Sequence, residues 1–328
     1  MPKPNPYRPF TPDPAQMACA PPVSGNAVNG LGETEKRRAT VVYWAPDPDT
    51  IPHGKLQRYF YSVDKSAPVM VAAQQDRQRR AAVAMAELAE EQVVRSPEDW
   101  TAALQAFRET AGVDMIGVAP LDPAWLYAGA STAFANVVML GVQHAYDRIA
   151  QAPEITAGAE VITQYGRAMA GATHVASWLR AQGWEAEPQT GPMTGKLALI
   201  PAAIACGFGE LGKHGSIINP EFGASFRLSA VLTDAPFAST PAREFGIDAF
   251  CASCRVCEDA CPPEAIAAEK QTVRGVEKWY VDFDRCLPYF NQTHGCAICI
   301  AVCPWSRPGV GMNLANKLAR RAARMAAE

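Results

Sequence analysis

The sequence lacks the long hydrophobic runs that cross or enter a membrane. Its 328 residues contain no apolar stretch of about 18 residues, and the mean hydropathy is −0.08. The first segment, MPKPNPYRPFTPDPAQ, is proline-rich and polar, without the apolar core of a secretory signal. The pair Arg37-Arg38 is followed by ATVVYWAPDPD, which is no export segment. We therefore predict no membrane span and a cytoplasmic location.

The chain also lacks a strong net charge, and its cysteines are not spread evenly along the sequence. The chain has 30 Lys and Arg against 33 Asp and Glu, a formal net charge of −3, so we expect no nucleic-acid partner. Before residue 251 the only cysteines are Cys19 and Cys206, which we interpret as an incidental thiol and a small buried hydrophobic residue. The remaining cysteines all lie in the last quarter of the chain, where paired thiols of a cytoplasmic protein are more often metal ligands than disulfides.

Composition and periodicity divide the chain into four parts. Residues 1–66 are rich in proline and predict a partly ordered arm draped over the core. Residues 67–245 interleave helical and strand patterns, which favours an α/β (α+β) layer fold. Residues 246–310 form the cysteine-rich part, and residues 311–328 predict a basic helix. The basic side of that helix is a solvated face or, alternatively, a docking surface for a partner.

Several elements of the second part are marked clearly. The alanine-rich stretch 67–94 predicts a helix. Ser96 as N-cap and Pro97 at the first helical position begin another, and Gly112 ends it. A long helix is predicted over about 157–182, while VDMIGVAPL, NVVMLGVQ and SFRLSAVLTD are typical of strands.

The cysteine-rich part carries two related motifs. The first is C-x2-C-x2-C-x3-C-P, and the second repeats its latter half with one further cysteine ten residues upstream. This spacing is typical of two [4Fe–4S] clusters with crossed ligation, in which the fourth cysteine of each motif serves the other cluster. Zinc sites use pairs of ligands instead. The predicted ligands are Cys251, Cys254, Cys257 and Cys303 for one cluster, and Cys261, Cys286, Cys296 and Cys299 for the other.

Two clusters make an electron path, and a much larger part of the chain precedes it. Two classes of function remain open: an enzyme whose active centre receives the electrons, or an electron-transfer subunit of a larger assembly. The glycine-rich stretch CGFGELGKHGSIINPEFG either contacts a ligand through its backbone or is merely a connection. It neither follows a strong strand nor opens a helix, so it is no dinucleotide-binding motif.

The segments GVDMIGVAPLDPAWLY and IPAAIACGFGELGKHGSIINPEFGASFRLSAVLTD, followed by the double motif ending in CAICIAVCPW, resemble the reductive dehalogenases, which are corrinoid-dependent iron–sulfur enzymes. The resemblance covers about residues 95–308 in collinear order. It implies a nitroreductase-like cobalamin-binding core followed by a bacterial dicluster ferredoxin-like domain. It also implies a corrinoid held base-off, and the chain has no D-x-H-x-x-G motif that would offer cobalt a histidine.

The resemblance further implies roles for individual residues. Tyr165 matches the tyrosine that protonates the carbon losing halide, and Arg227 matches the cation that stabilises the phenolate. The residues expected to contact the corrinoid are Gly209, Lys213, His214, Gly215, Ser216 and Asn219.

The implied activity is cobalamin-dependent removal of halide from a small organohalide. No fused flavin and ferredoxin-reductase module is present, so we expect an external donor such as a ferredoxin, flavodoxin or reductase. The stretch EAEPQTGPMTGKLALIP, where the family often places substrate-facing polar residues, has no Asp or Asn. The alternatives are a reaction like that of the related epoxyqueuosine reductases, or a non-catalytic iron–sulfur protein that transfers electrons.

Overall fold

The structure is a computed structural model that describes residues 5–191 and 195–325. Three pieces of the predicted regions lie outside the described residues: residues 1–4 of the arm, residues 326–328 of the C-terminal helix, and residues 192–194 within EAEPQTGPMTGKLALIP.

A four-stranded antiparallel sheet forms the centre, with the strand order β1-β2-β6-β3. Strand β2 pairs with β6 along its whole length, which sets Val142 opposite Arg227. Two short hairpins, β4-β5 and β7-β8, stand apart from this sheet. The strands are β1 (Met115–Pro120), β2 (Asn136–Gln143), β3 (Ala186–Gln189), β4 (Glu210–Leu211), β5 (Ile217–Ile218), β6 (Phe226–Thr233), β7 (Gln271–Val273) and β8 (Val276–Lys278).

Helices precede, separate and follow the strands of the sheet along the chain. They are α1 (Pro14–Met17), α2 (Gly25–Val28), α3 (Gly54–Ser62), α4 (Pro68–Ala81), α5 (Pro97–Phe107), α6 (Tyr146–Ile149), α7 (Ile155–Arg180), α8 (Leu199–Ala205), α9 (Ile247–Ser253), α10 (Val256–Ala260), α11 (Phe283–Gln292), α12 (Ile298–Val302) and α13 (Val310–Met325). Within the described ranges no helix is both long and apolar enough to cross a bilayer.

Both faces of the sheet are buried, which explains why β2 is apolar throughout instead of alternating. Val138 and Leu140 pack with Trp100 of α5 and Leu179 of α7. The alternate residues of β2, including Met139, pack with α8 on the other face. This arrangement confirms the predicted α/β (α+β) layer fold.

The start of α5 follows the sequence signals. The Ser96 hydroxyl accepts a hydrogen bond from the Asp99 amide at 3.1 Å, and Pro97 occupies the first turn. The predicted end at Gly112 is wrong by five residues, because α5 ends at Phe107. Turns follow, with the Ala111 amide donating to the Phe107 carbonyl at 2.9 Å, and Gly112, at φ +73°, lies at the end of those turns.

The predicted helix over 67–94 is only half right, because α4 ends at Ala81. The following residues run instead along the C-terminal part of α7. The Ala89 amide donates to the Arg180 carbonyl, and the Val93 amide donates to the Gln182 carbonyl, both at 2.9 Å. These tertiary hydrogen bonds tie residues after α4 to carbonyls at the end of α7, and they outweigh the helical propensity of alanine.

The N-terminal arm packs against the cysteine-rich part. The Asn5 side-chain Nδ2 donates to the Ala260 carbonyl at 3.0 Å, and the Nε2 of the buried Gln16 side chain donates to the Pro288 carbonyl at 3.1 Å. The Phe10 ring meets the Tyr289 ring edge-on at a centroid distance of 4.8 Å. The arm is therefore a fixed cover over that part of the molecule.

Candidate active site and metal centres

The structure gathers the predicted ligands of the first cluster around one small cavity, and we call them the first quartet. They reach it from the short helices α9 and α10 and from the end of α12. The four residues are Cys251, Cys254, Cys257 and Cys303, and Phe250, Pro304 and Trp305 also line the cavity. Cys303, which is distant in sequence, thus lies with the three cysteines of the first motif.

The other four cysteines, the second quartet, also lie close together. Burial raises the pKa of Cys286 to about 12, and the nearby Cys296 and Cys261 add to this rise. Burial likewise raises the pKa of Cys299, with further contributions from Cys296 and Cys286. Cys286 has the least regular offset in the sequence, yet it stands beside its predicted partners. The assignment of individual ligands remains a prediction.

The chemistry of both quartets fits iron–sulfur clusters better than a single ion. Over the described ranges no three His, Cys, Asp or Glu side chains converge as they would around one metal ion. A cubane cluster separates its four thiolates because each binds a different corner. Burial also raises the pKa of Cys257 to about 12, so these thiols ionise only where a cation compensates them.

Lys213 and His214, predicted from the resemblance to contact the corrinoid, both line the cavity of the first quartet. The Lys213 side chain is 3% exposed, with Nζ 3.7 Å from Glu258 Oε2 and 5.1 Å from the centroid of the Trp279 ring. Burial lowers the pKa of His214 to about 4. Its Nδ1 accepts a hydrogen bond from the Ser216 amide at 3.2 Å, so the ring is neutral. A buried cation therefore adjoins the first quartet.

The other predicted corrinoid contacts fall into two pairs. A side chain at Gly209 would place its Cβ 1.9 Å from the Ile218 carbonyl oxygen, and the Asn219 side-chain Nδ2 donates to the Phe208 carbonyl at 2.8 Å. Both residues thus hold the loop together. Gly215 and Ser216, by contrast, each line a cavity of the upstream core.

Tyr165 on α7 and Arg227 on β6 contact each other directly. The Arg227 Nη1 donates to the Tyr165 hydroxyl at 3.3 Å, and the guanidinium carbon lies 4.8 Å from the ring centroid. The buried Ser229 hydroxyl, two residues along β6, donates to the Ala168 carbonyl of α7 at 2.7 Å. This bond fixes the strand against the helix and so keeps the pair in register.

Tyr165 and Arg227 separate two cavities, because both residues line each of them. One cavity, of about 340 Å³, is bordered by the arm, α4, α7 and the segment after α11. The other, of about 260 Å³, is bordered by the 189–200 region and by Ser216. A Cβ at Gly191 would lie 2.7 Å from the Tyr165 ring, so the absence of a side chain there leaves room for the tyrosine.

Sequence reasoning missed most of the wall of the 340 Å³ cavity. Its walls include a set of aromatic residues and three basic side chains from segments distant in sequence: Trp44, Phe60, Tyr61, Phe290, Lys65, Arg77 and His294. The aromatic richness of the arm was the available signal. Nothing local showed that these rings face Tyr165.

A third and larger cavity, of about 790 Å³, adjoins the 260 Å³ cavity. The two share Tyr127, Leu199 and Ile200. Together they reach the upper end of the volumes of ligand pockets. The residues present therefore leave room for a ligand as large as a corrinoid beside Tyr165 and Arg227.

Comparison with known proteins first defines the cysteine-rich part. A family model described as a 4Fe-4S dicluster domain matches residues 250–306. The chain accordingly carries a domain for two [4Fe–4S] clusters of the bacterial ferredoxin type.

The chain is similar to reductive dehalogenases, which confirms the resemblance. The chain is 33% identical over 210 residues to a tetrachloroethene reductive dehalogenase of Desulfitobacterium hafniense, covering 60% of this chain and 37% of the relative. It superposes on the catabolic reductive dehalogenase NpRdhA, solved in complex with 3-bromo-4-hydroxybenzoic acid, with a TM-score of 0.72 at 22% identity, covering 88% of this chain and 44% of that one. The shared fold is thus that of the reductive dehalogenases.

Epoxyqueuosine reductases are also related. The one from Synechococcus sp. (strain CC9605) is 31% identical over 155 residues, or 40% of this chain and 43% of the relative.

The chain spans well under half of the length of the tetrachloroethene reductive dehalogenase of D. hafniense.

Proposed function

We propose that the chain is a corrinoid-dependent reductive dehalogenase core, in which two [4Fe–4S] clusters supply electrons and Tyr165 supplies a proton. The observation that carries this proposal is the position of the Tyr165–Arg227 pair between two cavities. One cavity can hold a cofactor and the other a small substrate, so the phenol would face both. The predicted cytoplasmic location remains a prediction.

The two adjoining cavities beside Ser216 and Gly215 are where a corrinoid would lie. When bound, the corrinoid would supply the two-electron reduction that replaces a carbon–halogen bond with a carbon–hydrogen bond. The overall change consumes two electrons and one proton and releases halide. The protein has to deliver the electrons, deliver the proton and hold the organohalide.

Tyr165 is the proposed proton donor. Its hydroxyl accepts a hydrogen bond from Arg227 at 3.3 Å, so the guanidinium would stabilise the phenolate that remains once the proton has passed to carbon. Solvent then returns a proton to the phenolate. The buried Nε of Arg227 has no partner among the described residues, which leaves a donor for an anion at this site.

The 340 Å³ cavity suits a small apolar substrate. The Trp44 and Phe60 rings meet edge-on at 5.0 Å, and the Phe60 and Phe290 rings stack at 5.8 Å. The aromatic part of this wall favours a halogenated hydrocarbon or ring, and Lys65 and Arg77 on the same cavity would accept a polar or anionic substituent of it. The arm would thus form part of the substrate site.

Electrons would enter from a separate donor protein and leave the first quartet towards the cofactor. The support for this direction is the loop that joins the two sites. Lys213 and His214 line the cavity of the first quartet, while the next residues, Gly215 and Ser216, line the proposed corrinoid cavities. Of the two clusters, the one held by the first quartet would therefore pass electrons to the corrinoid.

Reductive deoxygenation of the epoxyqueuosine type is the second candidate, since an epoxyqueuosine reductase matches 40% of the chain. The third is electron transfer without catalysis. It predicts that no corrinoid is retained.

The test uses protein reconstituted with clusters and cobalamin, assayed for halide release from a panel of halogenated phenols and alkyl halides with a strong reductant. We expect Tyr165→Phe to lower turnover by about 100-fold or more, because general acids contribute about 10²- to 10⁴-fold. Iron and corrinoid contents should stay unchanged. Tyr146→Phe, in α6 and away from the cavities described above, is the matched control. Full turnover by Tyr165→Phe would refute the proton-donor role, and absence of halide release from the whole panel would refute the dehalogenase proposal.

A further inference from the structure

The 790 Å³ cavity is strongly basic. It lies between the arm, α8 and the β7–β8 hairpin. Among the described residues that line it there are four cations and no carboxylate: Lys36, Arg37, Arg274 and Lys278. A cavity with this balance of charge is suited to an anionic ligand.

Part of this charge is neutralised within the protein. Glu33, which lies outside the lining, accepts a hydrogen bond from the Arg37 Nε at 2.6 Å in an ion pair. Lys36 is exposed and is therefore well solvated. The cations that concern the interior of the cavity are consequently Arg274 and Lys278.

Arg274 and Lys278 are half-buried and poorly compensated. Arg274 donates to the Asn29 carbonyl, which carries no net charge. The Lys278 side chain has no hydrogen bond or ion pair with any residue that the structure describes. Burial, and then the charge of Arg274, lower the pKa of Lys278 to about 8. Two neighbouring cations in a partly desolvated place repel each other, and an anion between them would remove that cost.

The fold presents both side chains from one rigid element. Arg274 is in the turn of the β7–β8 hairpin at φ +50°, and Lys278 is at the end of β8, paired with Gln271. The Arg274 amide also donates to the Gly30 carbonyl at 3.0 Å, which anchors the turn to the arm. Glu33, which pairs with Arg37, is the carboxylate that interacts with Arg274, and its contribution is the smallest of those acting on that guanidinium. The two cations are thus held at the cavity, and neither forms an ion pair with a described residue.

We propose that Arg274 and Lys278 form an anion subsite that binds the phosphodiester of the corrinoid's nucleotide loop. This inference rests on the proposed function. The amide side chains at the edge of a cobalamin ring are neutral, so the phosphodiester is the group that two cations would select. The adjoining 260 Å³ cavity beside Tyr165 would then hold the ring end of the ligand.

The test compares cobalamin with cobinamide, which has the same ring but lacks the nucleotide loop and its phosphate. Binding is followed by the visible spectrum of the corrinoid retained by the protein. We expect wild-type protein to prefer cobalamin, and Lys278→Gln with Arg274→Gln to weaken cobalamin binding by about tenfold or more, since charge-assisted hydrogen bonds are the stronger ones. Cobinamide binding should not change. Lys278→Arg, which keeps the positive charge, should keep the preference of the protein for cobalamin over cobinamide.

Lys270→Gln is the matched control, because Lys270 precedes the hairpin, pairs with Asp248 at 2.8 Å and lies outside the lining of this cavity. Two results would overturn the anion subsite: the double variant weakens the binding of cobalamin and cobinamide equally, or the wild-type protein does not prefer cobalamin. Neither result would contradict the proposal that the chain binds a corrinoid. If neither corrinoid binds, the proposed function fails, and this subsite with it. Inorganic phosphate should compete with cobalamin only. If phosphate binds but the corrinoids are not distinguished, the site takes a free anion and the assignment to the corrinoid is wrong.

Discussion

The two cysteine quartets have similar spacing in sequence, but they lie in different surroundings. The first adjoins the upstream core, where the buried Lys213 lines its cavity. The second adjoins the arm, where the Arg8 guanidinium donates to the carbonyl of Cys261 at 2.6 and 3.0 Å. Net charge, hydrogen bonds and solvent exposure set the reduction potential of a cluster. A shared ligand motif thus acquires two electrostatic settings from chain segments outside the motif.

The largest effect should come from breaking the crossed grouping itself. Cys303→Ser should remove the cluster that also uses Cys251, and iron content should fall from about eight to about four atoms per chain. Combining it with Cys251→Ser should cost no further iron, because both residues would serve the same cluster. Combining it with Cys299→Ser should remove nearly all iron. Iron and sulfide analysis measures these contents.

Cys19→Ser is the control for these variants, since Cys19 lies in the arm and outside both motifs. Four irons retained in the Cys303→Ser, Cys299→Ser double variant would contradict the crossed arrangement. Complete loss of iron from Cys303→Ser alone would show instead that the two clusters assemble only together.

Lys213 should raise the potential of the first cluster, because a cation stabilises the more negative reduced state. A unit charge about 7 Å away, at an effective dielectric constant of about 20, interacts by at most about 2 kcal/mol, because the Glu258 carboxylate 3.7 Å from the Lys213 Nζ offsets part of the charge. That energy corresponds to roughly 100 mV for one electron. We expect Lys213→Met to lower the potential of the first cluster by this order in a redox titration followed by electron paramagnetic resonance. Lys213→Arg should keep most of it.

Lys270→Gln is a demanding control for that measurement. The Lys270 Nζ also stands over the Trp279 ring, at 5.5 Å, but Lys270 is paired with Asp248 and does not line the cavity of the first quartet. An equal shift in both variants would show that the effect passes through the tryptophan rather than through charge. An unchanged potential in Lys213→Met would remove Lys213 from the electron path.

Sequence reasoning succeeded where the signal is local. The spacing of the cysteines and the cap at Ser96 involve residues close in the chain, and α5 begins where predicted. It failed over residues 82–94, where tertiary hydrogen bonds to the end of α7 decide the conformation. The three boundaries between the four parts of the chain and the roles of the individual ligands remain predictions.

Only part of the candidate active site could be predicted from the sequence, because its residues come from distant segments. The roles of Tyr165 and Arg227 came from the family resemblance, and the aromatic wall of the 340 Å³ cavity went unnoticed. Lys213 and His214 line the cavity of the first quartet, and their predicted contact with a corrinoid remains a prediction. Ser216, two residues after His214, lines the 260 Å³ cavity instead. A glycine-rich sequence cannot show which way each of its side chains points.

The smallest effect should come from Arg8, and it makes the comparison of the quartets sharper. Arg8→Gln should lower the potential of the second cluster by only tens of millivolts, because water and salt screen a partly exposed charge. The Arg8 side chain is 29% exposed, and it pairs with Glu264 at 2.9 Å. The same redox titration measures it, with Arg58→Gln, an exposed arginine of the arm paired with Asp49, as the control. A shift confined to the first cluster, or one as large as that of Lys213→Met, would mean that burial does not govern the difference between the two quartets.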